Sequence, residues 1–339
     1  MLEHERSAVR KAPTEERDRF SQLRARKQAD RVSVVNRLLM AVLLSRADAL
    51  GVVRNIGREE LGRLVGVSSE QVKRRVQRLL KHELVRAYVP GATGSVLFKK
   101  LKGAYFLNLN HQELGEVVNA PAILVSVDRR CKEPRWYDTA DELLEPVDSG
   151  EEQIALRVRV FFRAKHEKRN LGYLLRSRLD LYAGMLLSSN GEPREKVEAA
   201  VSAQIVKDLL VERRVAKPGP TSERYALLVE YLLGKAVELE QSIRHEWMAD
   251  GRPAFPQVDI DSTDFALLPS KKVQGASGDY FYMSRSVLAL PKGASGLNGL
   301  VVVVERKGKH STRVSTYENE DLMAFEDRRD FCLLSVADD

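Results

Sequence analysis

The chain of 339 residues is 43% apolar and 30% charged, with 55 Lys and Arg against 48 Asp and Glu. This length and apolar share allow two or three domains with real cores and exclude wholesale disorder. No run of about 18 apolar residues occurs, so a membrane span is not expected, and the charged start Met1-Leu2-Glu3-His4-Glu5-Arg6 is not followed by the apolar stretch of a secretory signal. Cys131 and Cys332 stand far apart without a His or Cys companion, which argues against a disulfide framework or structural zinc and for a cytoplasmic protein.

The net charge of +7 is unevenly spread. Residues 1–102 hold 23 Lys/Arg against 11 Asp/Glu, whereas residues 103–339 hold 32 against 37. A polyanion-binding module joined to a near-neutral body would produce that split.

In chain order, residues 1–31 alternate in sign, as in Glu15-Glu16-Arg17-Asp18-Arg19, and read as a charged N-terminal arm or helix. A domain is expected over residues 32–109. Its residues Val34, Val35, Leu38, Leu39, Val42 and Leu43 follow the spacing of a helix that buries one wide stripe. Gly51 ends that helix, and Val52–Ile56 reads as a short strand. Arg58–Val65 is a short helix closed by Gly66-Val67. Ser68 caps the next helix, with Gln71 three residues on as a capping box requires, and Val72, Val76, Leu79 and Leu80 form its buried face. Leu84–Val89 is strand-like. The turn Pro90-Gly91-Ala92-Thr93-Gly94 leads to Val96-Leu97-Phe98, with Tyr105–Leu109 as a second extended run.

The run Glu60-Leu61-Gly62-Arg63-Leu64-Val65-Gly66-Val67-Ser68-Ser69-Glu70-Gln71 ends in a Ser-capped helix start. It continues as Val72-Lys73-Arg74-Arg75-Val76-Gln77-Arg78-Leu79, a Val-x-Arg-x-Val-x-x-Leu register, with Leu84-Val85 at the strand that follows. This stretch, from about Val34 to Leu109, resembles the winged helix-turn-helix of bacterial transcription regulators. It departs from that family at the helix exit, where His82-Glu83 replaces the usual Gly. The resemblance implies a recognition helix that fits the major groove and a β-hairpin wing beside it.

The residues agree with that implication. Folding Val72, Val76, Leu79 and Leu80 inward turns Ser69, Gln71, Lys73, Arg74, Arg75, Gln77 and Arg78 towards solvent or a partner, and Ser68 at the cap joins them as a candidate DNA contact. Arg and Gln can read guanine and adenine edges bidentately. Thr93, Lys99 and Lys100 lie on the wing, suited to phosphate contact, with Lys102 beside it. From Arg54 to Lys102 there are 12 basic and 4 acidic residues.

Residues 110–250 read as a central region of strands and helices that serves dimerisation. Ala122–Val127 and Gln153–Phe162 are strand candidates; Leu171–Leu187, Arg194–Val215 and Tyr225–Trp247 are helical, the last two separated by Lys217-Pro218-Gly219-Pro220. Residues 251–339 read as a β-rich domain with a sensing role, its strands at Phe265–Leu268, Tyr280–Leu290, Leu300–Glu305, Thr312–Tyr317 and Phe331–Val336. The expected class is α+β.

Asp279 with Glu305-Arg306-Lys307 is the one constellation with catalytic spacing, similar to the acid, acid-x-Lys pattern of Mg²⁺-dependent nucleases. Glu-x-Lys at a strand end also serves solubility alone, and enzymatic activity is not expected. The six histidines are scattered, no Gly-x-Ser-x-Gly elbow occurs, and neither metal nor cofactor is expected. The sequence thus points to a sequence-specific double-stranded DNA-binding protein, a repressor that binds a palindromic operator as a homodimer and responds to an effector. The alternative is a replication or maintenance protein of a plasmid, phage or mobile element that binds repeated sites.

Overall fold

The computed structural model describes residues 33–91, 98, 101–115, 120–128, 168–189, 191–209, 220–249, 252–253, 259–269, 273–274, 280–281, 284–292, 299–308, 311–331 and 333–334. The expected arm at 1–31 and strand at Gln153–Phe162 lie outside them.

Ser33 caps α1 (Val34–Leu44), its Oγ accepting from the Asn36 backbone N–H at 3.3 Å. Asp48 then organises the turn into β1 (Val52–Ile56). One carboxylate oxygen accepts from the N–H groups of Leu50 (3.1 Å) and Val52 (2.8 Å), and the other accepts from Arg54 (2.8 Å). Next come α2 (Arg58–Val65), α3 (Ser69–Lys81), β2 (Val85–Val89) and β3 (Gly103–Leu107). The three strands form an antiparallel sheet in the order β1-β3-β2.

Side chains alternate across these strands, and both faces are used. Val53, Val85, Tyr105 and Leu107 enter the core under α1–α3, with Leu39, Leu43, Leu61, Val72, Val76 and Leu79. Val52, Ala87, Val89 and Phe106 point the other way, into a second core. The stripe expected on α1 is rotated: Asn36, Leu39, Met40 and Leu43 are buried, while Val34 and Leu38 are exposed. Asn36 turns inward because it accepts a hydrogen bond from Arg75 on α3.

The body is built on a five-stranded sheet in the order β12-β11-β4-β10-β7. Its strands are β4 (Ala122–Asp128), β7 (Thr263–Leu267), β10 (Ser284–Pro291), β11 (Val301–Gly308) and β12 (Ser311–Tyr317). Two two-residue hairpins, β5 with β6 (248–249 with 252–253) and β8 with β9 (273–274 with 280–281), stand apart from it. β4 pairs parallel with β11 and antiparallel with β10. The boundary expected at residue 251 therefore does not divide the fold, because a strand from the central region lies in the middle of the later sheet. Strands buried on both faces read as continuous apolar runs, as in Val301–Val304.

One face of this sheet carries α4 (Lys168–Leu187) and α6 (Pro220–Trp247), with Ala183, Leu187, Ile243 and Trp247 against Leu124, Phe265, Val287 and Val302. α5 (Arg194–Asp208) completes a helical core with them. The other face, with Ile123, Val125, Leu288 and Val303, packs on Val52, Ala87, Val89 and Phe106 of the N-terminal sheet. The molecule is thus a four-layer α+β stack: helices, sheet, sheet, helices.

A strand was expected at Phe331–Val336. Instead α7 (Phe325–Asp330) ends there, with the Phe331 N–H on Asp327 O and the Leu333 N–H on Arg328 O. Phe331 and Leu333 still enter the core between the sheets, so apolarity marked burial without marking strand. Across that same junction Arg86 of β2 forms a buried ion pair with Glu320, which also accepts from Asn108 Nδ2 at 2.7 Å. Among the described residues, no helix is long and apolar enough to cross a membrane.

Candidate nucleic-acid interface

The helix pair α2–α3 is joined by a tight turn that two glycines make possible. Gly66 sits at φ 75°, closing α2 in the left-handed conformation that glycine adopts without penalty. At Gly62 an added Cβ would lie 2.5 Å from the Val67 carbonyl oxygen, so nothing larger fits where α2 meets the turn. Ser68 then opens α3 with a full capping box: its Oγ accepts from the Gln71 N–H at 3.2 Å, and Gln71 Oε1 accepts from the Ser68 N–H at 3.1 Å.

Amphipathicity fixes the roll of α3. Val72, Val76, Leu79 and Leu80 are buried, and Lys73, Arg74, Gln77 and Arg78 are exposed. These four are the expected site residues that the fold brings together, exposed, on one helix. Ser68, Ser69 and Gln71 stand at its start, where Ser68 and Gln71 are occupied by the cap and Ser69 is half-buried. Arg75 is placed elsewhere. It is half-buried, and its Nη1 donates to Asn36 Oδ1 at 3.0 Å, with Ser33 Oγ at 3.5 Å, so it ties α3 to α1. The sequence held that signal: Val72 and Leu79, three before and four after, flank Arg75 on the buried face.

Thr93, Lys99 and Lys100 lie outside the described residues. Their neighbours in the β2–β3 connection are anchored, since Phe98 and Leu101 enter the α4–α6 core and Phe98 forms a bridge with Leu209. Sequence reading missed this anchor, although the apolar residues on either side of the lysine pair were its trace. Lys102 is turned to Glu60 of α2 at 3.0 Å, and its ammonium holds that carboxyl below the ordinary range.

The exit of α3 answers the missing glycine. Glu83 takes the left-handed conformation itself, at φ 60°, while its N–H bonds Leu80 O and the Leu84 N–H bonds Leu79 O. Its carboxylate reaches Arg328 of the C-terminal segment at 3.1 Å, a contact that a glycine could not make.

Of the nuclease constellation, Asp279 lies outside the described residues. Glu305 is nearly buried on β11, opposite Arg313 of β12, with Lys307 two residues on along the same strand. Among the described residues no group of three His, Cys, Asp or Glu is placed to hold a metal ion. Comparison with protein families, curated proteins and solved structures finds no match to this chain.

Proposed function

We propose that the chain is a sequence-specific double-stranded DNA-binding regulator, with residues 32–109 acting as a winged helix-turn-helix and α3 as its recognition helix. The observation that carries this reading is the exposed set Lys73, Arg74, Gln77 and Arg78 on a capped helix whose opposite face is buried. The element order α1-β1-α2-α3-β2-β3 and the sheet order β1-β3-β2 support it. A helix of this kind fits the major groove, where Arg and Gln heads meet base edges and Lys meets phosphate. Thr93, Lys99 and Lys100 keep the role of phosphate contacts in this proposal.

The reading includes a homodimer on a palindromic operator, because one helix covers only a few base pairs and two half-sites about 34–36 Å apart double the contacts. The test is selection of random duplexes by the full chain, followed by footprinting. A palindrome with half-sites one helical turn apart is the expected result. Tandem direct repeats would instead favour the replication or maintenance protein. Failure to retain any duplex in dilute salt, where phosphate attraction is strongest, overturns the proposal.

A further inference from the structure

A cleft of about 360 Å³ opens between the N-terminal unit and the body, within the range of about 300–1,000 Å³ that small-molecule sites occupy. β1 and β3 wall it on one side through Arg54, Asn55 and Phe106, and α4 and β7 on the other through Leu174, Asp180 and Phe265. Most of its charges are already bridged. Arg54 pairs with Asp48 at 2.8 Å, Lys102 with Glu60 at 3.0 Å, Arg178 with Asp208 at 3.3 Å and Asp264 with Lys292 at 3.6 Å.

Asp180 is the exception. The residue is only 5% exposed, and its Oδ1 is buried with no hydrogen-bond donor. A buried acceptor left without a donor is costly, and far more so when ionised. Burial accordingly pushes the Asp180 carboxyl up to about 7, against the opposing pull of Arg285 on β10 and Arg176 on α4. On the facing wall, Asn55 holds φ 64° at an irregularity in the β1–β3 ladder. Left-handed non-glycine residues of this kind cluster at ligand clamps.

We propose that this cleft binds a small organic cation, a protonated amine carried on an apolar body, with Asp180 accepting its charge and Phe106, Leu174 and Phe265 enclosing the body. An anion entering the cleft would find each of the described cations that line it engaged, whereas an ammonium meets a carboxylate with one oxygen, Oδ1, that lacks a donor. Because both halves of the molecule wall the cleft, its occupant ties them together and acts on duplex binding. That last consequence rests on the function proposed above; the binding itself does not.

The experiment is calorimetry on the full chain, without DNA, at pH 8. Phenethylamine, 2-phenylethanol and 3-phenylpropionate serve as probes that share a body and differ in head group. Expected is saturable binding of the amine at one site, at least tenfold tighter than the alcohol, with no binding of the carboxylate. Asp180→Asn, which keeps the shape, should erase the preference for the amine, and Ser177→Leu, which fills the cleft from α4, should abolish binding. Equal affinity for the three probes, no saturable amine binding, or an Asp180→Asn protein that still prefers the amine overturns the proposal. If Asp180→Asn fails to fold, the probe series on the parent and on Ser177→Leu decides alone. Since no duplex is present, failure here leaves the DNA reading standing, and the converse also holds.

Discussion

Two side chains sit in states that cost free energy, and each has a visible reason. Glu83 adopts a left-handed backbone, which costs a non-glycine residue roughly 1–2 kcal/mol, yet it gains Arg328 across the junction with α7. Glu83→Ala keeps the strain and loses the pair, so a loss of about 1 kcal/mol in urea unfolding is expected. Glu83→Gly relieves the strain as it removes the pair, and should lie within about 0.5 kcal/mol of the parent. If the alanine variant matches the parent, the ion pair contributes nothing.

Asp180 gives a pH dependence with a fixed sign. Its folded pKa of about 7 lies above the ordinary 3.8. The folded state therefore holds a proton that the unfolded chain releases, and stability falls as pH rises between about 4 and 7. Asp180→Asn lacks this titration. Relative to the parent it should gain up to about 4 kcal/mol between pH 4 and pH 8, read by denaturant unfolding across that range. A difference that stays constant with pH would mean the carboxyl titrates at its ordinary value.

Among the secondary-structure elements, α3 concentrates the testable claims. Arg74→Ala should weaken binding to the selected duplex by about 1–3 kcal/mol and relax preference at one base position. Arg75→Ala should leave base preference untouched, since its head is turned to Asn36 of α1, and should lower stability instead. Mobility-shift titrations against duplexes mutated base by base separate the two outcomes. Gly62→Ala puts a methyl group against the Val67 carbonyl and should destabilise the chain by about 2–3 kcal/mol as α3 is displaced.

How much of this was legible in the sequence follows the physics of each element. The capping box, the α3 face and the glycine turn are local, so Ser68, Gln71, Val72 and Gly66 announce them. The strands at Ala122, Phe265 and Val301 were readable as apolar runs, and the one at Thr312 only from its β-branched residues. Their pairing was not, because β4 meets β11 through contacts that no local pattern encodes. Arg75 failed as a solvent-facing residue for a related reason. Whether a residue at the edge of an apolar face turns out or in depends on the neighbouring helix, here the inward Asn36.

For the molecule as a whole, the junction between the two sheets decides how the parts behave. Arg86 and Glu320 are both buried there, and Asn108 completes the carboxylate's contacts. Removing one partner of such a pair leaves an uncompensated charge, so Glu320→Ala should cost about 3–5 kcal/mol. Glu320→Gln, which retains the shape and one acceptor, should cost less. Equal losses in the two variants would mean that charge, and not shape, is what the junction needs. Val52, Ala87, Val89 and Phe106 also face the five-stranded sheet, so cutting the chain after residue 109 would bare them to water. Duplex binding is therefore best measured on the intact chain.

The same junction bears on how the protein is made. Residues 33–109 can close their helical core early, from contacts near in sequence, whereas Val301, Val303, Phe331 and Leu333 leave the ribosome about 200 residues later. At bacterial or eukaryotic translation speeds that is a delay of roughly 10–40 s. Throughout it the nascent chain carries an uncovered apolar sheet face. Premature stop codons ahead of β4, before Ala122, would release chains stranded in that state, making them natural clients for chaperones and proteases.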